Sequence, residues 1–332
     1  MNKVAIKGWG IISEMGNDES QIIKSWDQKK GVSGNCLEFE HRLKPQKIRR
    51  MGRLAQMAAS VSEKSLHMAQ AEGGEQTGII MNTDYGSINI NIDFGRVLKT
   101  PELSSPMDFA NTVSNAALGH VAVYFNLRGT STLLMGSNCI SYAIRQLEKK
   151  GEEKIICCGA DEYCVPIAEF AKKKFGKQII SEGVAAILLE YNSESEWGYI
   201  VGDAQGGIGF SPLYEDVYDV KKNYKHLLQK ALQSAELDEN QIDLILMSGD
   251  AGSGIREYEE QAVIELFGDD KERRFIKDQM GENLGASAIS GVIVSAVLLK
   301  NKRYKKILVL GTEVSGTIEA YIISGERRSL YV

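Results

Sequence analysis

The sequence contains few histidines and no pattern of metal-binding side chains. Four histidines occur among 332 residues. Histidine, cysteine and aspartate do not recur together at the spacing of a metal centre, so we expect neither a metal ion nor another cofactor. The four are His41 in a polar N-terminal segment, His67 and His226 on predicted amphipathic helices, and His120 in a predicted buried helix.

The cysteines do not form a disulfide framework, because their number is odd and their spacing irregular. Cys157 and Cys158 lie in "EKIICCGADE", which has the pattern of a buried strand, so both are interpreted as small core residues. We therefore expect a reducing, cytoplasmic environment. The five cysteines are Cys36, Cys139, Cys157, Cys158 and Cys164.

The chain also lacks a long uncharged apolar run and an excess of positive charge. Its beginning, "MNKVAIKGWGII", is interrupted by Lys3 and Lys7, so we expect neither a signal peptide nor a membrane anchor. Lysine and arginine number 39 against 44 aspartates and glutamates, which gives a net charge of −5. This balance gives no electrostatic reason to expect nucleic acid or an anionic membrane as a partner.

Strand-like and helix-like segments alternate along the chain, which predicts an α/β fold. Apolar residues make up 43% of the sequence and charged residues 25%, as in proteins with a large core. We predict strands at 3–12, 77–84, 153–162, 181–191, 198–207, 241–250, 304–316 and 318–324, and helices at 51–70, 117–127, 220–235, 256–268 and 285–301. The stretch "GTSTLLMGSNCISYAI" (129–144) is interpreted as a loop, a small-residue turn and a helix.

Two segments of the chain resemble each other in their order of elements. "NCISYAIRQLEKKGEEKIICCGADE" and "NLGASAISGVIVSAVLLKNKRYKKILVLGTE" each contain a small-residue turn, a helix, a charged turn and a strand. This echo favours a duplicated α/β unit. The charged stretch 191–197 is the best candidate for the boundary, which predicts an N-terminal half at 1–196 and a C-terminal half at 197–332.

Five segments carry a recognisable series of motifs. Residues 4–34 contain an opening strand, a Met-Gly-Asn turn and a tryptophan helix that ends in Gly-Val-Ser-Gly. "RRMGRLAQMA" (49–58), "SSPMDFANTVSNAALGHVAVYFNLRGTST" (104–132), "SEGVAAILLE" (181–190) and "KDQMGENLGAS" (277–287) follow. In this order, over nearly the whole chain, the motifs resemble those of the β-ketoacyl synthases of the thiolase superfamily.

The resemblance implies a thiolase-like α/β fold. Two similar halves would stack in a five-layered αβαβα arrangement, with buried helices between the sheets. It also implies a dimer in which the segments that carry the nucleophile lie near the interface.

The family's nucleophile is a cysteine thiolate activated at a helix N-terminus. It lies nine residues after the glycine that follows Leu-Arg, and counting from Gly129 gives Asn138. Asn138 cannot attack a thioester. Cys139 lies one position later, which on a helix turns a side chain by about 100 degrees. We predict Asn138 at the nucleophile position and keep Cys139, otherwise a small buried residue, as the alternative nucleophile.

The family's two catalytic histidines, which stabilise charge as the enolate forms, are also replaced. Counting back from Glu259 in the acidic helix places Ser248 at the first position. Lys277 and Gly281 fix the register of the second, which is Glu282. Lys277 could pair with Glu282 in a closed site. None of the chain's four histidines falls at a catalytic position.

The closing loop differs from the family pattern as well. Where the family has Gly-Phe-Gly-Gly, "EVSGTIE" keeps Gly316 but has Val314 and Ser315. The phenylalanine that gates the nucleophile is therefore absent. Four departures at four functional places, within a retained frame, point to a loss of catalysis.

We therefore expect a catalytically silent subunit that resembles a chain length factor, also called a ketosynthase β subunit. It would form a heterodimer with an active β-ketoacyl synthase and help shape the acyl tunnel in type II polyketide, aryl-polyene or fatty-acid-like elongation on acyl carrier protein. Ordinary interface packing would explain the segment 104–115 equally well. The expected tunnel or dimer-interface residues are Met107, Asp108, Phe109, Thr112 and Asn115.

Two other functions fit the same residues. An acyltransferase could use Cys139 as nucleophile with Glu282 or Asp250 as base. A homodimeric scaffold could instead bind an acyl group or a carrier protein without turnover. An interface between like halves is expected for the homodimer, and a quasi-symmetric one for the heterodimer.

Overall fold

The chain folds into alternating strands and helices. The computed structural model describes residues 4–29, 31–99, 105–149, 151–177, 179–213, 218–249 and 254–326. Its strands are β1 (Val4–Ile12), β2 (Thr77–Thr83), β3 (Ser131–Met135), β4 (Lys154–Asp161), β5 (Gly183–Tyr191), β6 (Tyr199–Gly207), β7 (Leu244–Met247), β8 (Arg273–Phe275), β9 (Lys306–Thr312) and β10 (Thr317–Ser324).

The helices lie between these strands in sequence. They are α1 (Glu19–Gln28), α2 (Pro45–Ile48), α3 (Arg53–Met68), α4 (Ile88–Val97), α5 (Pro106–Asn111), α6 (Ala116–Phe125), α7 (Cys139–Glu148), α8 (Val165–Phe175), α9 (Lys221–Ala235), α10 (Ile255–Phe267), α11 (Lys277–Met280) and α12 (Ser287–Lys300). Among the described residues, no helix combines the length and the apolarity needed to cross a bilayer.

The sheet repeats one strand order in its two halves. The order is β3-β2-β4-β5-β1, followed by β6-β10-β9-β7-β8. Each strand of the first set corresponds to the strand five places later in the chain, so that β1 corresponds to β6 and β3 to β8. The second set lies in the reverse order of the first across the sheet. Pairing directions also agree, since β2 and β7 each pair in parallel with two strands and β1 and β6 each pair antiparallel with the last strand of their half. The predicted duplication is therefore confirmed, and the division after residue 196 stays a prediction.

The elements form five layers, as the predicted αβαβα arrangement requires. Helices α3 and α6 pack on one face of the N-terminal strands. Helices α9 and α10 pack on the outer face of the C-terminal strands. Between the two sets of strands lie α7 and α12, whose apolar side chains join one core with those of β1, β5, β9 and β10. The α/β class and the five-layered arrangement predicted from the sequence are confirmed.

The two central helices are buried because apolar and small residues dominate their contact faces. In α12, every residue from Ser287 to Leu299 is buried, as expected of a helix covered on all sides. In α7, the buried face contains Cys139, Ile140, Ala143, Ile144 and Leu147. The layered fold thus places the N-terminal ends of α7 and α12 close to the strand ends of both halves.

Glycines allow the first strand to lie directly beneath α3. A Cβ atom on Gly8 would come within 2.2 Å of the Ser65 carbonyl oxygen, and one on Gly10 within 2.2 Å of the Val61 carbonyl oxygen. Any larger residue would push the helix away from the strand. The close approach fixes α3 against β1.

Some elements differ from the sequence predictions. Residues 131–135, interpreted as a loop, form the strand β3. This strand lies at the edge of the sheet and is half-exposed, so its sequence lacks the pattern of a buried strand. The strand predicted at 241–250 is only four residues long, because residues 239–241 form a 3₁₀ turn. Helix α8 was not predicted, although Pro166 and Gly176 mark its two ends.

Candidate functional site

The predicted nucleophile position lies in a turn between a strand and a helix. Strand β3 leads into this turn, and α7 begins directly after it at Cys139. Asn138 is the N-cap of α7 and has a left-handed backbone, with φ 81°. Asparagine tolerates that conformation better than most residues. Burial raises the pKa of Glu319, and the neighbouring Asn138 backbone lowers it in part.

Cys139 points into the protein core. It is 1% exposed and packs between α7 and the neighbouring strands, where Cys157 Sγ lies 3.7 Å from its carbonyl oxygen. Burial raises the pKa of the Cys139 thiol well above its usual value. Because the thiolate is the reactive form, this environment favours the unreactive thiol.

Ser248, which the sequence predicts at the first histidine position, follows β7 directly and is hydrogen bonded through both its amide and its hydroxyl. Its backbone amide and its hydroxyl each donate to Glu259 Oε1 at 3.0 Å. The hydroxyl also lies 2.7 Å from Thr312 Oγ1, which in turn lies 2.7 Å from the Tyr224 hydroxyl. Ser248 is therefore part of a buried structural network. Asp250, the alternative base, lies outside the described residues.

Glu282, which the sequence predicts at the second histidine position, forms a buried ion pair with Lys277. Lys277 Nζ lies 2.6 Å from Glu282 Oε2, and the two side chains are 2% and 6% exposed. Lys277 also donates to the Thr312 carbonyl oxygen at 2.8 Å. The other carboxylate oxygen of Glu282 accepts from the Leu284 amide and the Ser287 hydroxyl, both at 2.9 Å. The pair is thus satisfied from both sides, as a stable buried ion pair requires.

Further buried carboxyl groups lie beside these positions, and sequence reasoning missed them. Asp84 follows β2, Asp161 ends β4 and Glu313 follows β9. Parallel strands end at one edge of the sheet, where sites form in α/β folds. The available signal was the acidic residue that terminates each of the runs "MNTD", "CCGAD" and "VLGTE".

Asp161 connects the two halves of the chain. Its carboxylate accepts from the Thr83 hydroxyl at 2.8 Å, the Asp84 amide at 2.9 Å and the Tyr85 amide at 3.0 Å. It also accepts from the Gly285 amide at 3.1 Å, beside the turn that carries Glu282. Burial raises the pKa of Asp161 to about 6, against these hydrogen bonds, which lower it.

Asp84 and Glu313 have fewer donors than Asp161 among the described residues. Burial, followed by the charge of Asp161, raises the pKa of Asp84 well above its usual range. Burial and the charge of Asp84 do the same for Glu313. Both carboxylate oxygens of Glu313 and Oδ2 of Asp84 are buried without a hydrogen-bond partner among the described residues. The centre is therefore rich in acceptors, whereas an oxyanion needs donors.

An apolar cluster covers this centre. Val314, which the sequence predicts at the gating position, and Leu284, two residues after Glu282, are 8% and 3% exposed. They pack with Ile179, Ile180, Leu213 and two alanines of α8, Ala168 and Ala171. We call these seven residues the apolar plug. The plug lies beside Glu282, because Ile180 forms a β-bridge with Glu282 and the Ile179 carbonyl oxygen accepts from the Glu282 amide.

Comparisons with known proteins agree with this architecture. Residues 217–310 match the family model described as the C-terminal domain of β-ketoacyl synthase. No curated protein matches the chain. A β-ketoacyl synthase from Burkholderia phymatum STM815 superposes with a TM-score of 0.81 at 18% identity, over 98% of this chain and 100% of that one. The chain has the thiolase-like fold of the ketosynthases.

Two other solved ketosynthases are similar over nearly the whole chain. The ishigamide ketosynthase/chain length factor gives a TM-score of 0.78 at 17% identity, covering 97% of this chain and 99% of that one. A type II polyketide synthase acyl-carrier protein in complex with its ketosynthase, AntDE:AntF, gives 0.77 at 13% identity, covering 97% and 99%. The resemblance to ketosynthases inferred from the sequence is therefore confirmed.

In this ketosynthase fold, the predicted tunnel or interface residues lie on and after α5. Met107 and Phe109 are 47% and 63% exposed, and Asp108 is exposed as well. Thr112 is half-buried, and Asn115 is the N-cap of α6. The structure thus leaves the apolar side chains Met107 and Phe109 of this segment on the surface.

The histidine in this region has a structural contact. His120 Nε2 lies 2.8 Å from Asn111 Oδ1, and burial lowers its pKa. Asn111 also donates to the Arg50 carbonyl oxygen at 3.2 Å. His120 thus helps attach α5 to α6, the packing and hydrogen-bonding role expected for it.

Proposed function

We propose that the chain is a catalytically silent ketosynthase-like subunit of the chain length factor type. It pairs with an active β-ketoacyl synthase and helps to shape the tunnel in which an acyl chain grows on acyl carrier protein. The process is a type II polyketide, aryl-polyene or fatty-acid-like elongation. Asn138, Ser248 and Glu282 stand where the catalytic cysteine and histidines would be.

The occupation of the second histidine position by the Lys277–Glu282 ion pair carries this proposal. A ketosynthase must stabilise negative charge there as the enolate forms. A carboxylate opposes that charge, and the lysine is already engaged by Glu282 and by the Thr312 carbonyl oxygen. The unpartnered oxygens of Glu313 reinforce the mismatch. The buried ion pair and the carboxyl groups beside it are suited to stabilising the fold and not to thioester chemistry.

The two ends of the sheet support pairing through one of them. The duplicated fold makes β3 and β8 equivalent edge strands. Strand β8 is three residues long and carries Arg273 and Arg274, features that protect an edge from pairing. Strand β3 has five residues, no charge and Met135 exposed at 58%. An unprotected edge of this kind is suited to a partner strand.

Exposed apolar side chains near β3 support the same interface. Helix α4 buries none of its residues completely, and its Phe94 stacks on Phe109 of α5 with ring centroids 5.7 Å apart. Val123 of α6 is 83% exposed. Leu98, directly after α4, and Val113, between α5 and α6, are each more than half exposed. Large exposed apolar patches mark interaction surfaces. The predicted interface residues Met107 and Phe109 belong to this surface.

Cys139 does not support the alternative of an acyltransferase. A nucleophile must reach the substrate, whereas this thiol is 1% exposed and its pKa is raised by burial. Its carbonyl oxygen also lies against another buried cysteine, Cys157. We therefore assign Cys139 to the core.

Intact-protein mass spectrometry tests the proposed function. The chain is incubated with an acyl-carrier thioester, alone and together with its co-purified ketosynthase, and the Cys139→Ala variant serves as the control. We expect no acyl adduct on this chain and an adduct on the ketosynthase. An adduct on the wild-type chain that disappears in Cys139→Ala would overturn the proposal.

A further inference from the structure

A cleft lies between α3, the start of α1 and the irregular segment 38–42, and its volume is about 1240 Å³. The half-buried Phe39 and Met68 and the buried Trp9 and Trp197 line it. We call these four side chains the apolar wall. The two indole rings of the wall meet edge to face, with centroids 5.4 Å apart. None of the predicted catalytic positions lines this cleft, so it is separate from the candidate site described above.

The segment 38–42, which closes one side of the cleft, is fixed at both ends. Before it, the Leu37 amide donates to Glu182 Oε2 at 2.7 Å. After it, the Lys44 amide donates to the Tyr124 hydroxyl at 2.9 Å. The opposite side consists of α3, which packs closely on β1. The cleft is therefore pre-formed, as most sites for small molecules are.

Lys64 of α3 lines the cleft and carries a charge without a partner. The residue is half-buried, and no ion pair or hydrogen bond of its ammonium group occurs within the described part of the chain. Burial lowers the pKa of Lys64, as expected for a cation removed from water without compensation. Lys306 is also half-buried without a side-chain partner. The half-buried lysines that do bind a neighbouring oxygen atom are Lys7, Lys154, Lys221, Lys225, Lys271 and Lys300.

The charges around Lys64 indicate how much negative charge a ligand can carry. Besides burial, which is the largest influence, three acids raise the pKa of this lysine and one base lowers it. None of the three acids forms an ion pair with it. One unpartnered ammonium group suits one negative charge, because a doubly charged group would also be repelled by the three carboxylates. The acids are Asp18, Glu40 and Glu63, and the base is Arg42.

We propose that this cleft binds a small molecule that has a single carboxylate and an apolar body. The carboxylate accepts hydrogen bonds from the Lys64 ammonium group, and the body lies against the apolar wall. The unpartnered cation selects the charge of the ligand, since a charge-assisted hydrogen bond is stronger than a neutral one. The wall selects the body, because apolar surface covered by the ligand is removed from water. The site does not depend on pairing with a ketosynthase, since its residues all belong to this chain.

Isothermal titration calorimetry with three ligands tests this site. Octanoate, octan-1-ol and octyl phosphate share one apolar chain and differ in charge. Each is titrated into the purified wild-type chain and into Lys64→Met. The matched control is Lys306→Met, which removes the same charge from the other half-buried lysine without a side-chain partner. Lys64→Arg keeps the charge in the cleft.

We expect the wild type to bind octanoate about tenfold more tightly than either of the other two ligands, the ratio expected for one hydrogen bond to a charged group. Lys64→Met should lose this preference, whereas Lys64→Arg and Lys306→Met should retain it. Equal weakening by Lys64→Met and Lys306→Met would overturn the proposal. Tighter binding of octyl phosphate than of octanoate, or no binding of octanoate by the wild type, would overturn it as well.

Thermal unfolding of the same samples gives a second measurement. Lys64→Met removes an uncompensated cation from a half-buried position, so we expect it to fold and to be at least as stable as the wild type. A ligand that binds only the folded state raises the Tm. Octanoate should therefore raise the Tm of the wild type and of Lys306→Met, and leave that of Lys64→Met almost unchanged. An equal rise in all three would place the carboxylate elsewhere and contradict the site.

Discussion

Lys277 Nζ bridges the Glu282 carboxylate, at 2.6 Å, and the Thr312 carbonyl oxygen, at 2.8 Å. The lysine therefore joins the turn before α12 to the end of β9. Both partners are buried, so neither charge has water as an alternative. This contact therefore holds two elements of the fold together.

Removal of one member of this pair should destabilise the protein strongly. In Lys277→Met, Glu282 remains buried without its counter-ion, and we expect a loss of about 3–5 kcal/mol in the free energy of unfolding. The double variant Lys277→Met, Glu282→Leu should recover much of that loss, because no uncompensated charge remains. Urea unfolding of the single and double variants measures both effects. A single variant as stable as the wild type would show that the pair contributes little.

Stability should fall as the pH rises from about 4 to about 7. Burial raises the folded-state pKa of Asp161 to about 6 and that of Glu162 to about 7. In this window the folded state binds more protons than the unfolded state, so the free energy of unfolding decreases with pH. The pKa of Glu313 is raised well above its usual range. Its ionisation therefore extends the decrease in the free energy of unfolding to higher pH.

Urea midpoints at a series of pH values measure this dependence. Glu162→Gln, which cannot ionise, should flatten the decline between pH 4.5 and 7. Glu326→Gln, a change at an exposed acid, should leave the profile as it is. A stability that rises over the same range would contradict the assigned direction of the pKa shifts.

Native thiol labelling should modify a single cysteine. Cys36 is exposed, whereas Cys139, Cys157, Cys158 and Cys164 are buried. With iodoacetamide at neutral pH we expect Cys36 to react and the others to react only after denaturation. Peptide mapping identifies the labelled residue. Rapid native labelling of Cys139 would contradict its placement in the core and revive its candidacy as a nucleophile.

A charge on the β3 edge should prevent pairing with the ketosynthase. Met135 is exposed, so Met135→Lys should leave the fold unchanged but force a buried charge into any partner that covers this strand. We expect heterodimer formation to weaken at least about tenfold, in line with the loss of a well-packed interface residue. Gln229→Lys, on the exposed face of α9, is the control. Analytical ultracentrifugation reports the complex, and equal association of both variants would place the interface elsewhere.

Most of the fold was predictable because its signals are local and periodic. The strand "GVAAILLEY" and the helix "VIVSAVLLK" have the apolar runs of buried elements, and the repeated order of elements indicated the duplication. Strand β3 was missed because it lies at the edge of the sheet and is half-exposed, so that its sequence lacks the long apolar run of a buried strand. Helix α8 was missed because its three lysines conceal its two buried alanines.

The candidate site was predictable only in part. Motif spacing led to Asn138, Ser248 and Glu282, and it suggested the pairing of Glu282 with Lys277, which the structure contains. The gathering of Asp84, Asp161 and Glu313 was not anticipated, because they are far apart in sequence and each resembles an ordinary acidic residue at the end of a strand. Their chemistry depends on shared burial.

The sequence alone determined the layered α/β architecture and the residue types at the predicted catalytic positions, because local propensity and motif spacing are written along the chain. The tertiary structure decided which groups are buried together, which charges are paired and which edge of the sheet is unprotected. Burial raises the pKa of Asp161, withdraws Cys139 from solvent and makes the Lys277–Glu282 pair structural. These effects arise from the distances between residues of separate segments, which only folding sets.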